Sequence, residues 1–303
     1  MQEQANSRHM KILSLIIFHV LIASTLYGQP LNQRYTDKGE MIIAQFSSAM
    51  FPHTERDTGY WYDGKKYSAE EHYRDSSVAI FIPQGFQPGE TTNFVVYFHG
   101  WRNNIDSTFT QFNIAEQFAD SKINAILIHP EGPKNAPDSF GGKLEEADTF
   151  KCLIEEVIDL LIKSKKIKTK EIGKIILAGH SGAYRVMSFI LLRGGMTQHI
   201  KEVYLFDALY GQTEKFSYWL DHSRGRLINI FTEEGGTKHE SQSLMDDLQA
   251  WGIPFLALKE LDVTTSDLLK NRILFISSDL EHNDVIAKRN QFRTYLQTSS
   301  LSR

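Results

Sequence analysis

The stretch KIILAGHSGAYRV, Lys174 to Val186, changes character at its middle. An apolar run, Ile175 to Ala178, stops at Gly179, and a run of that kind bounded by glycine reads as a strand buried on both faces. His180, Ser181, Gly182 and Ala183 follow, and the mixed segment beyond them suits a helix. A strand that becomes a helix within a few residues brings the two backbones close together, so the positions flanking the turn must be small. Gly179 and Ala183 meet that demand. The hydroxyl of Ser181 then sits on a tight, strained bend that lifts it above the edge of a sheet.

The surroundings of this stretch repeat its pattern. From residue 78 onward, short apolar runs alternate with amphipathic segments, which predicts a mostly parallel central sheet with helices on both faces. The expected strands cover residues 78–83, 93–100, 124–130, 174–179, 202–207, 227–232 and 273–278. Helical spacing marks residues 109–121, 144–165, 182–193, 240–251 and 285–297. There is no internal repeat. Residues 29–77 differ: FPHTERDTGYWYDGKKYSAEEHYRD is rich in tyrosine, histidine and charge without clear periodicity, and reads as a loop-rich N-terminal extension holding a strand or two. Tyr60, Trp61 and Tyr62 are expected to pin it onto the α/β domain of residues 78–303, in preference to lining a groove.

Composition narrows the function classes. A chain of 303 residues with 41% hydrophobic content can bury a full core. Its formal charge of -4 comes from interspersed residues, 33 basic and 37 acidic, without the basic stripe that a nucleic-acid partner requires. The single cysteine, Cys152, lies among Phe150, Leu153, Ile154, Val157, Leu160 and Leu161 at helical spacing, so a packing role is expected. Residues 1–28 read as a signal peptide: Arg8 and Lys11 precede the apolar stretch ILSLIIFHVLIASTLYG, which is short for a bilayer span, with cleavage expected near Gly28. The alternative is an uncleaved anchor. Export to the periplasm or the medium is the expectation, with no membrane contact after cleavage.

At GHSGA the chain resembles the α/β-hydrolase family, in an exported, bacterial-type form, and the likeness covers about residues 78–297. The family's commoner elbow has Gly where Ala183 stands, which keeps the steric logic. The resemblance implies that Ser181 is the nucleophile. In VVYFHGWRNN it implies an oxyanion hole made by the backbone N–H groups of Trp101 and Gly182, with Gly100 allowing close approach and His99 stabilising the turn. The general base should follow the last strand, where SSDLEHNDVIAKR supplies His282.

The acid that orients this base has two answers. The turn FTEEGGT offers Glu233 and Glu234, and Asp207 closes the apolar run VYLFD one strand earlier. Asp207 is preferred, because a carboxylate ending a buried strand is costly unless a partner uses it. Asp284, two residues from His282, is kept as a minor candidate, its nearness in sequence counting against its reaching the correct ring nitrogen. His180 is expected to point away from the Ser181 hydroxyl and to pack, and DSFGGKLEE, Asp138 to Glu146, to shape a pocket rim. No His/Asp cluster has metal-ligand spacing, and no cofactor is implied.

The function this implies is an exported serine hydrolase cleaving a small-molecule or polymer-derived carboxylic ester through an acyl-enzyme. A peptidase or amidase would use the same parts. A non-catalytic binding protein on the same scaffold would have no need of Ser181 with His282.

Overall fold

The computed structural model describes residues 29–302, so the expected signal peptide, residues 1–28, lies outside the described residues. The strands are β1 (Gly39–Gln45), β2 (Tyr60–Tyr62), β3 (Lys65–Tyr67), β4 (Ser77–Pro83), β5 (Thr92–Phe98), β6 (Ile126–Pro130), β7 (Ile172–His180), β8 (Ile200–Phe206), β9 (Arg226–Thr232), β10 (Leu256–Lys259) and β11 (Ile273–Ser278). Nine of them form one sheet in the order β1-β4-β6-β5-β7-β8-β9-β11-β10. The pairs β1 with β4 and β4 with β6 are antiparallel, and the rest are parallel.

The apolar runs are continuous because both faces of the sheet are covered. Successive side chains of a strand point to opposite faces, and the buried residues divide accordingly. Ile175 and Leu177 of β7, with Val203 and Leu205 of β8, join one core, against the helices Thr149–Lys163, Tyr184–Arg193, Thr213–His222 and Lys238–Ala250. Ile176 and Ala178, with Tyr204 and Phe206, join the other, against the helices Ile105–Phe112, Ile114–Ser121 and Gln291–Gln297.

The register decides where chemistry can sit. Gly179 pairs with Phe98, His180 with Phe206, Phe206 with Ile230, and Ser278 with Thr232. The C-terminal ends of β5, β7, β8, β9 and β11 therefore form one edge, and the residues that follow each strand meet there.

Several features depart from the sequence reading: the strand β10 and the helix Thr213–His222 were not expected, and the last helix, expected at 285–297, is Gln291–Gln297. The segment 29–77 is joined to the main sheet, since β1 pairs along its whole length with β4. The burial of β1 is partial on both faces, with Met41 in one core, Ile42 and Ala44 half-buried against the other, and Glu40, Ile43 and Gln45 exposed, so it shows neither a continuous apolar run nor a clean alternation. The expected helix at 109–121 is two helices, Ile105–Phe112 and Ile114–Ser121, broken where Asn113 takes a positive φ of 50°. Cys152 is exposed and not packed. The buried face of its helix carries Phe150, Leu153, Ile154, Val157, Ile158 and Leu161, and Cys152 stands about 200° round the helix from Phe150. Among the described residues no helix is long and apolar enough to cross a membrane.

An exposed thiol outside the core predicts two results. Cys152 should react with a thiol reagent in the native protein, and Cys152→Ser should change the unfolding free energy by less than about 0.5 kcal/mol in a urea titration. A protected thiol, or a much larger loss, would return Cys152 to the core.

Candidate active site

β7 ends at His180, and Ser181 follows with a positive φ of 54°, a left-handed conformation that is strained for a residue with a side chain. A short 3-10 turn, Ser181–Ala183, leads directly into the helix Tyr184–Arg193. The crossing is tight. A Cβ on Gly179 would come within 2.6 Å of both the Ala183 Cβ and the Met187 sulfur, so even one added carbon does not fit.

The turn after β5 presses against this bend from the neighbouring strand. A Cβ on Gly100 would lie 2.5 Å from the Ser181 Cβ and 2.8 Å from the His180 carbonyl oxygen. The space a Gly182 side chain would need is filled by the Trp101 ring, 2.6 Å away. That ring is part-exposed, donates its Nε1–H to the Ser139 hydroxyl at 2.7 Å and meets Tyr62 edge-on at 5.1 Å. One member of the Tyr60–Tyr62 set is thus beside the site, whereas Trp61 is exposed. These three residues form β2, whose hairpin with β3 turns through Asp63 and Gly64, both at positive φ as a two-residue turn requires.

Asp207 follows β8 at the same edge and is fully buried, with a φ of 43°. His282, in the loop after β11, places its Nδ1 2.7 Å from the Asp207 Oδ2. The same carboxylate accepts from the Thr232 N–H at 3.0 Å, the Thr232 hydroxyl at 2.8 Å and the Thr237 hydroxyl. Burial pushes the Asp207 carboxyl up, but the bonds from His282, Thr237 and Thr232 outweigh it and leave the group below the ordinary carboxylate range. The other acids lie elsewhere. Glu233 pairs with Lys238 at the surface, Glu234 is exposed, and Asp284 pairs with Lys288 at 2.8 Å.

Ser181, Gly182, Trp101 and His282 line one cavity of about 660 Å³. Tyr184, Tyr210 and Ser139 also line it, as do Arg102, Asn103 and Gln111. Ser139 belongs to DSFGGKLEE, the stretch expected at the pocket rim. Sequence reasoning did not single out the two tyrosines; Tyr184, which opens the helix after the bend, and Tyr210, three residues past Asp207, had position alone as a signal. Nothing in the sequence marked Thr232 and Thr237 as partners of Asp207.

His180 packs, as the alternation of side chains along β7 requires, and it also touches the site. Its Nε2–H donates to the His282 carbonyl at 3.0 Å, its ring lies 4.5 Å from the His282 ring, and Phe112 meets it edge-on at 5.1 Å. Burial, and then the charge of His282, pull its pKa down to about 3, so the ring is neutral near pH 7. His99 is buried in the turn after β5, with Nδ1 donating to the Gly100 carbonyl at 2.7 Å and Nε2 3.0 Å from Glu131.

The acidic residues of DSFGGKLEE are engaged in ion pairs. Asp138 pairs with Arg56 at 2.7 Å, Glu145 with Arg185 at 2.7 Å and Glu146 with His53 at 3.0 Å. Two of these contacts tie residues 53–56 onto the body. Among the described residues no group of three or more His, Cys, Asp or Glu side chains is disposed to hold a metal ion.

The arrangement of sheet and helices is similar to that of two solved proteins. One is fluorophosphonate-binding serine hydrolase F of Staphylococcus aureus, with a TM-score of 0.52 and 12% identity over 87% of this chain and all of that one. The other is a ferulic acid esterase, with a TM-score of 0.51 and 10% identity over 86% of this chain and 99% of that one. No protein-family model and no curated protein sequence matches the chain. The fold is the α/β-hydrolase fold, with the nine-stranded sheet at its centre.

The neutral His180 has a consequence for stability. Its pKa falls from 6.5 in the unfolded chain to about 3 in the fold, so between those values the unfolded state binds more protons. The stability this ring contributes is complete above 6.5 and is lost as pH falls from there toward about 3. Between pH 7 and pH 5 the wild type should lose about 2 kcal/mol more than His180→Gln, which keeps a donor but does not titrate. Parallel pH dependence of the two proteins in urea unfolding would show that His180 is not held neutral.

Proposed function

We propose that this protein is an exported serine hydrolase that cleaves a carboxylic ester through an acyl-enzyme. The observation that carries the reading is the 2.7 Å contact of His282 Nδ1 with the buried Asp207 carboxylate, beside a strained serine that lines the same cavity. The two fold neighbours described as a serine hydrolase and an esterase support it.

The steps follow from the groups present. Asp207 accepts the Nδ1–H of His282, which leaves the Nε2 lone pair as the base. Ser181 gives its hydroxyl proton to Nε2 as its oxygen attacks the ester carbonyl, and the carbonyl oxygen becomes an oxyanion. The N–H groups of Trp101 and Gly182 hold that charge, each worth on the order of 3 kcal/mol. The imidazolium, stabilised by Asp207, then protonates the leaving alcohol. Water, activated by the same base, attacks the acyl-enzyme and regenerates Ser181. Every step uses the chain's own residues. The aromatic walls formed by Trp101, Tyr184 and Tyr210 suit an organic ester, from a small molecule or released from a polymer. Residues 1–28 direct export in this reading, so the mature chain should begin near Gln29 when its N-terminus is determined by mass spectrometry.

A fluorophosphonate probe should label the wild type and fail to label Ser181→Ala. An absence of labelling in both would favour a non-catalytic binding protein, and a preference for peptides over a panel of esters would favour a peptidase. Asp207→Asn should lower turnover by about 10⁴, while Glu233→Gln and Glu234→Gln stay close to wild type. A large fall in a glutamate variant alone would overturn the assignment of the acid.

The oxyanion donors allow a separate check. Gly100→Val should abolish hydrolysis, since the added carbon meets Ser181 and His180, whereas Trp101→Phe keeps its backbone donor and should retain much of the activity. A fully active Gly100→Val would remove the turn after β5 from the mechanism.

A further inference from the structure

The second large cavity, about 720 Å³, lies at the opposite end of the same strands. Its walls include Lys174 near the start of β7, Lys201 of β8, Arg226 at the start of β9 and Arg272 just before β11. Lys174 and Ser181 are seven residues apart on one extended strand and its turn, so the two cavities stand about 20 Å apart.

Its charge is the unusual feature. Lys174, Lys201, Arg224, Arg226, Lys270 and Arg272 face one carboxylate, Glu202, in a chain whose formal charge is -4. Glu202 is taken by Arg226 at 2.8 Å. Among the described residues, none of the other five reaches a carboxylate at ion-pairing distance. Several bond to neutral acceptors instead: Arg272 to the Leu220, Ser223 and Gly225 carbonyls, Lys174 to the Ser300 carbonyl and Lys201 to the Gln198 carbonyl. Such carbonyls carry partial charges and leave most of each unit charge uncompensated. Burial and the neighbouring Arg224 together hold the Arg272 guanidinium below its ordinary range. Two further donors of the wall, Arg226 Nε–H and the Ser300 hydroxyl, are buried and lack an acceptor among the described residues.

We infer that this cavity binds a compact multivalent anion, a soluble compound carrying two or more phosphate groups. Five cations without a carboxylate partner among the described residues line one concave site, whose one lining carboxylate is already paired with Arg226. A phosphate group carries about -1.5 to -2 near pH 7, so two or three of them in one molecule match the site. Guanidinium groups bind phosphate oxygens in pairs, and ammonium groups add point charges around them. The site is independent of the hydrolytic reading, because it shares no residue with the cavity that holds Ser181.

Inorganic tripolyphosphate is the direct probe, titrated calorimetrically into the full chain at low ionic strength. Saturable binding with one site per chain is expected, and orthophosphate should bind more weakly. The triple variant Lys201→Ala, Arg224→Ala, Lys270→Ala changes exposed residues only and should weaken binding at least about tenfold. A control variant with the same charge change, Lys163→Ala, Lys165→Ala, Lys168→Ala, removes three exposed lysines from outside the cavity and should bind as the wild type does. No saturation in the millimolar range would overturn the inference, and so would an equal loss in the control, which marks non-specific attraction. Sedimentation with phosphatidylglycerol vesicles without tripolyphosphate binding would also overturn it, in favour of a lipid surface.

Discussion

A carboxylate with no exposed surface must be compensated where it stands, and Asp207 is such a group. An unpaired buried charge costs several kcal/mol, a large fraction of the stability of a domain. Its compensation comes from three places: His282 after β11, Thr232 at the end of β9, and Thr237 beyond it. Hydrophobic burial in the two cores is non-directional and fixes no single side chain in the loops. The Asp207 bonds do, since each requires a donor at one distance and angle. The ends of three strands are thereby coupled through one charge, and the imidazole held by it faces the cavity that Ser181 lines.

The ring packed against the Asp207–His282 contact carries no charge near pH 7. His180 lies against the His282 ring but is held neutral by burial. A protonated His180 would set a buried positive charge against the His282 ring at 4.5 Å. Instead, the neutral His180 donates to the His282 backbone carbonyl and so steadies the loop without titrating near neutral pH. Gly100 adds a steric constraint from the other side, because its missing side chain lets β5's turn and the Ser181 bend share one space.

The sheet was legible because a strand buried on both faces must be apolar throughout, and seven runs of that kind stand in the chain. β1 escaped because it is only partly buried on each face and so carries no continuous apolar run, and Cys152 was misplaced because proximity in sequence to apolar residues is not proximity on a helix face. Ser181 could be picked out by the small residues and the strand end next to it, whereas His282 was picked out by the resemblance to the α/β-hydrolase family, which implies a base after the last strand. Asp207 was preferred to Glu233 and Glu234 on the cost of burial alone, and the structure brings Asp207, of those three, to His282. The turn FTEEGGT still belongs to the site, through its threonines: Thr232 and Thr237 bond to the carboxylate while the glutamates face solvent. That exchange was unreadable, because a hydroxyl becomes a partner only once the register of β8 and β9 sets the distance.

The same register explains why the basic cavity was invisible in the sequence. Its cations are spread from Lys174 to Arg272, and no stretch of the chain is basic enough to stand out. They converge because parallel strands bring their starting residues to one edge, as they bring their ends to the other. Helices that return between parallel strands finish at the starting edge, and their last carbonyls attract positive side chains. Arg272 bonds to the Leu220 carbonyl in the last turn of one such helix, and Arg226 to the Leu268 carbonyl near the end of another. The fold thus tolerates cations at that edge at little cost. Tolerance accounts for the two arginines with helix carbonyls to cap, but not for Arg224 beside Arg272, where a second guanidinium raises the electrostatic energy. An anion held between them would lower it.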